Sequence, residues 1–169
     1  FKYDRAGVAA ALDAAVTDLE GVHKVRLRLP RRGACIIEAA AIDLRTPAHV
    51  TVSLARTPVQ STDEFLRHKT SRREVYARAL TEREDSDDVL LWNEHGDITE
   101  ASSSNVVVRL DGRLVTPALS AGLLPGTFRA LLLERGEICE ARVRRDDIGR
   151  CQAIYLVNSV RGWRTAQCK

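Results

Sequence analysis

A chain of 169 residues that is 44% hydrophobic and 29% charged has the makeup of one folded domain, or one and a half. Its 26 basic and 23 acidic residues leave a net charge of +3, too balanced to argue for nucleic acid or a membrane surface as partner. No apolar run approaches the ~20 residues of a membrane span, and no basic-then-apolar signal opens the chain.

The four cysteines, Cys35, Cys139, Cys151 and Cys168, form no CxxC pair. That argues against a zinc site and for a reduced, cytoplasmic setting, with no metal among the expected ligands. The chain opens at Phe1 and contains no Met, so it reads as a fragment of something longer.

In chain order, Asp4 is placed to cap a helix from about Arg5 to Leu19. Val8, Ala11, Leu12, Ala15, Val16 and Leu19 give it one apolar stripe, and Gly21 ends it. Val25 to Leu29 alternates basic and apolar residues and predicts a half-exposed strand. Pro30 to Gly33 is a turn, Ala34 to Ala41 the returning strand, and Val50 to Ala55 a third. This helix with a small sheet, residues 1–56, is too little core for a comfortable domain. The Pro and small polar residues of 57–63 read as a linker to a larger domain over 64–169.

The larger part opens with a short element, Glu64 to His68, which delivers Lys69. A helix follows from about Arg72 to Arg83, capped by Thr70 or Ser71, with Val75, Tyr76, Ala79 and Leu80 inward. Val89 to Trp92 is an apolar strand. The turn Asn93-Glu94-His95-Gly96 leads to a second strand carrying Glu100. Ser102-Ser103-Ser104-Asn105 interrupts the apolar pattern before Val106 to Val108. Asp111-Gly112 is another hairpin turn. Leu124-Pro125-Gly126-Thr127 then opens a helix from Thr127 to Glu134. A strand near Ile138 to Val143, a helical turn at Asp146 to Arg150, and an apolar strand from Ala153 to Val157 complete the pattern, ending at Asn158-Ser159.

Three features carry chemistry, and each has a plainer reading. Glu100 lies in a strand among small hydroxyl residues, where a carboxylate needs a partner. That partner could be an edge-strand ion pair or a bound cation. Pro125-Gly126-Thr127 at a helix start presents free N–H groups and the positive end of a dipole. It is an ordinary cap or an anion site. Lys69 stands beside Arg67, His68, Arg72 and Arg73. That is either a solvated basic patch or a crowd of cations that favours a neutral, carbonyl-reactive amine.

Four segments in order, His68-Lys69-Thr70, Gly96 to Glu100 through Asn105, Leu124 to Arg129, and Asn158-Ser159 after an apolar strand, resemble the class IV aminotransferase family, the fold-type IV pyridoxal phosphate enzymes. The resemblance implies an α+β, D-amino acid aminotransferase-like fold: a partial small α/β domain, then a larger β-barrel-like domain with flanking helices. It also implies pyridoxal 5'-phosphate as cofactor. By position, Lys69 matches the lysine that holds the cofactor and does the catalytic proton transfer. Glu100 matches the carboxylate that pairs with the ring nitrogen, keeping the ring an electron sink. Ser103 matches a hydroxyl near the ring, and Leu124 the residue on its face. Gly126, Thr127, Phe128, Asn158 and Ser159 match the phosphate-binding turns.

Two departures stand out. Phe128 replaces a hydroxyl residue common in the family, and Glu74 replaces a tyrosine that many members place after the lysine. A family arginine that binds the phosphate would lie upstream of this chain. That leaves the small domain incomplete and the fragment alone a weak cofactor binder or an inactive one. Within the family, Arg67 to Tyr76, Asp88 to Glu94 and Ala153 to Trp163 are most similar to aminodeoxychorismate lyase, in particular the lyase domain fused behind para-aminobenzoate synthase component I. This implies release of pyruvate from 4-amino-4-deoxychorismate to give 4-aminobenzoate for folate. A transaminase acting on branched-chain or D-amino acids, and a non-catalytic fragment, are the alternatives. A small-molecule substrate, a homodimer and a covalent fusion to an upstream synthase domain are the associated expectations.

Overall fold

A computed structural model describes residues 3–44 and 49–169. The chain divides into two compact units between residues 46 and 47. The division therefore falls upstream of the 57–63 stretch that reads as a linker.

In the first unit, helix α1 (Arg5–Val16) starts where expected, with the Asp4 carboxylate accepting from the Ala6 N–H at 3.0 Å. It stops at Val16, short of Leu19, and none of its stripe is buried. Strands β1 (His23–Arg28) and β2 (Ile36–Ala41) form an antiparallel pair in register from His23↔Ala41 to Arg28↔Ile36. A two-stranded sheet is marginal by itself.

The second unit holds β3 (His49–Leu54), α2 (Glu74–Thr81), β4 (Asp88–Trp92), β5 (Ile98–Ala101), β6 (Asn105–Leu110), β7 (Arg113–Pro117), α3 (Thr127–Glu134), β8 (Cys139–Ala141), β9 (Ala153–Asn158) and β10 (Gly162–Cys168). The strands make one eight-stranded, curled sheet in the order β5-β4-β3-β10-β9-β6-β7-β8. Here β3 departs from the sequence reading: it belongs to the large sheet, parallel to both β4 and β10. Its alternate residues Val50 and Val52 are buried in the main core. Residues 57–63 lie against this unit, with the Val59 N–H donating to the Trp92 carbonyl at 2.9 Å.

Strands β4 and β6 read as unbroken apolar runs because both their faces are covered. One face joins Val52, Leu90, Val106, Val108 and Leu156 in a common core. On the other face, Val89 and Leu91 meet Tyr76 and Ala79 of α2, while Val107 and Val157 meet Leu132 of α3. The β6–β7 hairpin turns through Asp111 and Gly112 at φ 50° and 77°, the left-handed pair that a type I′ turn requires.

Several boundaries moved. Helix α2 begins at Glu74, because the Thr70 hydroxyl accepts the Arg72 N–H (3.1 Å) in a local turn instead of capping a helix. Leu80 on α2 is exposed, not inward. Strand β8 keeps only the centre of the expected 138–143 strand.

Helix α3 is tied to the sheet by Arg129, which is 3% exposed. Its guanidinium donates to the Pro117 carbonyl (2.8 Å) and the Thr116 hydroxyl (3.3 Å), and pairs with Glu140 at 2.5 Å. Arg129→Met is expected to destabilise the protein by about 2 kcal/mol, since the Pro117 carbonyl loses its donor in a buried place. Glu140→Gln should cost well under about 1 kcal/mol, because Glu140 is half in water. Urea unfolding midpoints check both, and equal shifts would contradict the assignment.

Candidate active site

On the helix-bearing face of the sheet, a cavity of about 240 Å³ opens between the segment leading into α2, the β5–β6 turn, the start of α3 and the end of β9. Every residue singled out from the sequence lines it: Lys69, Glu100, Ser103, Leu124, Gly126, Thr127, Phe128, Asn158 and Ser159. Arg73, Tyr76, Ser102, Ser104 and Asn105 line it as well.

Glu100 on β5 is 4% exposed. Its Oε1 accepts from the Tyr76 hydroxyl at 2.6 Å, and its Oε2 from the Leu124 N–H at 3.2 Å and Asn105 Nδ2 at 3.5 Å. The edge-strand ion pair considered for it is thus replaced by a ring of donors. Burial pushes its pKa up to about 7, against the pull of Tyr76, the Leu124 N–H, Arg73 and Lys69. Burial and the Glu100 charge raise the Tyr76 phenol, so it remains a donor.

Asn105 fixes the loop that opens α3. Its Nδ2 donates to the Leu124 carbonyl at 2.8 Å, and a side chain at Gly126 would overlap its Oδ1. Gly126 is the N-cap of α3, with no side-chain cap and no acid in the first turn. The leading N–H groups of this helix, from Thr127 and Phe128, have no partner within the helix and face an anion-favouring environment.

The serine run forms the turn between β5 and β6. Asp88 holds it from below: its Oδ1 accepts from the Ser102 N–H at 3.0 Å and its Oδ2 from the Ser103 hydroxyl at 3.4 Å. Arg73 donates to the Ser102 carbonyl and lies over the Tyr76 ring at 4.5 Å. The Asn158 side chain is fully engaged: its Nδ2 donates to Ser104 Oγ (2.9 Å) and the Ser103 carbonyl (3.3 Å), and its Oδ1 accepts from Val160 and Arg161 N–H. It therefore acts as a brace beside Ser159, an exposed residue at the rim of the cavity.

The sequence places Tyr76 inward and offers it, with Arg73, as a substitute for the family tyrosine without a role, and it gives Asn105 and Asp88 no task. The legible signal was an amide and a carboxylate at strand starts flanked by apolar residues. Glu74, which takes the family tyrosine's place, points to solvent and sits 3.9 Å from Arg72. Among the described residues no group of His, Cys, Asp and Glu could hold a metal, and no helix is long and apolar enough to cross a membrane.

Comparison with known proteins agrees with this geometry. The model of the class IV amino-transferase family matches residues 2–167. A Schizosaccharomyces pombe protein provisionally named aminodeoxychorismate lyase is 32% identical over 147 residues, covering 82% of this chain and 63% of that one. The chain thus spans less than two thirds of that relative's length. A crystal structure of a Mesorhizobium loti protein, provisionally named an amino-acid aminotransferase, superposes with a TM-score of 0.90 at 36% identity, over 100% of this chain and 84% of the other. A Thermobaculum terrenum branched-chain aminotransferase solved in its PLP form shares the fold at 18% identity, with a TM-score of 0.69 over 78% of this chain and 47% of its own. With its matched segments lining one cavity and the family model spanning nearly its full length, the chain belongs to the class IV aminotransferase family, with the fold-type IV architecture.

Proposed function

We propose that the cavity binds pyridoxal 5'-phosphate, and that the protein containing this chain eliminates pyruvate from 4-amino-4-deoxychorismate to give 4-aminobenzoate. The observation that carries the cofactor reading is the convergence of an amine, a buried carboxylate and an acid-free helix start on one cavity. The donor set fits the group. Lys69 would hold its carbonyl carbon, and Glu100 would accept from its ring N–H. The Thr127 and Phe128 N–H groups with the Ser159 hydroxyl would hold its phosphate. Leu124 and Ser103 would flank the ring.

The bound cofactor would supply a sink for the electron pair left when a substrate proton departs. The chain's own residues do the rest. Lys69 Nζ is the base placed to take the proton from the substrate carbon bearing nitrogen. Glu100, ionised against a cation, keeps that sink effective. Tyr76, Asn105 and the Leu124 N–H hold Glu100 in place.

The lyase reading is supported by the 32% identity to the Schizosaccharomyces pombe protein. The 36% identity to the Mesorhizobium loti protein favours a second reading, an amino-acid aminotransferase, and the 34% identity over 102 residues to a Thermotoga maritima protein named as a branched-chain-amino-acid aminotransferase points to branched-chain substrates, with D-amino acids the other option. Release of pyruvate and 4-aminobenzoate supports the lyase, and 2-oxoglutarate-dependent turnover the transferase. A homodimer, a cytoplasmic location, fusion to an upstream synthase and a small domain completed by upstream sequence belong to the same proposal.

The first test uses full-length protein with added cofactor. Wild type should develop a visible absorbance band, and Lys69→Ala should lose both the band and about 10³-fold of the activity. A band that persists in Lys69→Ala removes Lys69 from its role. A wild type that stays colourless favours a non-catalytic remnant.

A further inference from the structure

We propose that Tyr76 is a positioning residue for Glu100: its buried hydroxyl fixes one oxygen of the carboxylate and favours its ionised form, with Arg73 steadying the tyrosine. This rests on the reading of the cavity as a pyridoxal phosphate site, where an acceptor-only partner is needed for a cationic ring nitrogen.

The groups around Glu100 make the case. From α2 comes the Tyr76 hydroxyl at 2.6 Å, with Arg73 at the head of that helix. Lys69 faces it from the preceding segment, Asn105 Nδ2 from β6, and the Leu124 N–H from the loop before α3. Every one of these is a donor or a cation. The orientation of the Asn105 amide is fixed independently, because the same Nδ2 donates to the Leu124 carbonyl. A protonated Glu100 would bring an O–H into this ring with no acceptor other than the phenol oxygen itself. A carboxylate satisfies every donor. The arrangement therefore favours the charged form and offsets part of the burial that disfavours it.

Tyr76 is able to do this because it is held on both sides. Its ring is buried against Val89 and Leu91, and the Arg73 guanidinium lies 4.5 Å from its centroid while also holding the Ser102 carbonyl. Asp63 is a second acidic group acting on the phenol, after Glu100. The hydroxyl thus arrives at the carboxylate with little freedom to leave.

The test follows the Glu100 carboxyl carbon by NMR in cofactor-free, full-length protein labelled at glutamate, with Glu100→Gln to identify the signal. Tyr76→Phe removes one oxygen and should move the titration midpoint upward by about one pH unit. Arg73→Gln should move it the same way by less, and it carries the test should Tyr76→Phe fail to fold. A merely structural role for Tyr76 would change the melting temperature and leave the midpoint in place, and that result overturns the proposal. Cofactor affinity, read by equilibrium titration, gives the second arm. Tyr76→Phe should weaken pyridoxal phosphate binding about tenfold near neutral pH, with recovery as pH passes the shifted midpoint. If wild type binds no pyridoxal phosphate yet the midpoint shifts, the cofactor reading fails and the positioning role stands. If wild type binds it and the midpoint is unmoved, the positioning role alone fails.

Discussion

Glu100→Gln is expected to flatten the pH dependence of stability of the cofactor-free protein between about pH 4.5 and 8 while removing most of its activity. Burial raises the folded-state pKa of Glu100 from its ordinary 4.5 to about 7. Between those values the folded chain keeps a proton that the unfolded chain has given up. Stability is therefore lost as pH rises through this window and stays low above it. The loss is on the order of 3 kcal/mol at this one site. Glutamine does not titrate, so whatever its amide costs among these donors is constant with pH, and the gap between its stability and that of wild type should move in glutamine's favour from about pH 4.5 to about pH 8. Other carboxylates act in the opposite sense. Glu94 is lowered to about 2 by the Ser61 hydroxyl and N–H, and stability from it is lost only as pH falls. Those groups are common to both proteins, so the difference between the two curves isolates Glu100. Activity should drop at least about 10²-fold, because a neutral amide no longer favours a protonated ring. Superimposable pH–stability curves would show that Glu100 is not held as described.

Among the glycines outside the cavity, Gly122 is where an added methyl should do most damage, so Gly122→Ala should strongly destabilise the protein. Gly122 closes the short 3₁₀ turn Leu119–Ala121 at φ +89°, in the left-handed region. A Cβ there would stand 2.7 Å from Ser61 Cα and 3.0 Å from the Ser61 carbonyl oxygen, both rigid backbone atoms. Ser61 has no room to retreat, since its N–H and hydroxyl are bound to Glu94 at 2.8 and 2.7 Å. Strain at positive φ and overpacking together cost about 3 kcal/mol, which lowers the melting temperature by roughly 10 °C. The same displacement reaches the Leu124 N–H two residues on, so cofactor affinity should fall with stability. A variant that melts within about 2 °C of wild type would mean that this close approach does not exist.

Much of the second unit is legible in its residues. The runs Val89 to Trp92, Val106 to Val108 and Ala153 to Val157 are long enough and apolar enough to be strands whatever surrounds them. The segments carrying Lys69, Glu100, Thr127 and Ser159 announce themselves as polar or glycine-containing breaks between apolar runs. What resisted reading was everything decided at a distance. β3 looks like part of a local sheet, since nothing in His49 to Leu54 specifies that its neighbours begin at Asp88 and Gly162. β10 alternates polar and apolar residues weakly, and Gly162 to Cys168 reads as a tail. Tyr76 has the helical spacing of a core residue and is one. Its hydroxyl gains a task only because Glu100, far along the chain, folds to meet it. Leu80 has the same spacing and is exposed, because α2 ends one residue later.

The strand order bears on how the protein is made. β10 is translated after every other described strand, yet it lies between β3 and β9 and is the ladder that joins them. The Lys69 and Glu100 side can pair β3, β4 and β5 while the ribosome is still working, and the α3 side can pair β6, β7, β8 and β9. Neither can be stitched to the other until β10 emerges. Nascent chains should therefore wait as two half-sheets with open edges, and a stop codon just before Gly162 should yield aggregates, not a slightly shortened enzyme.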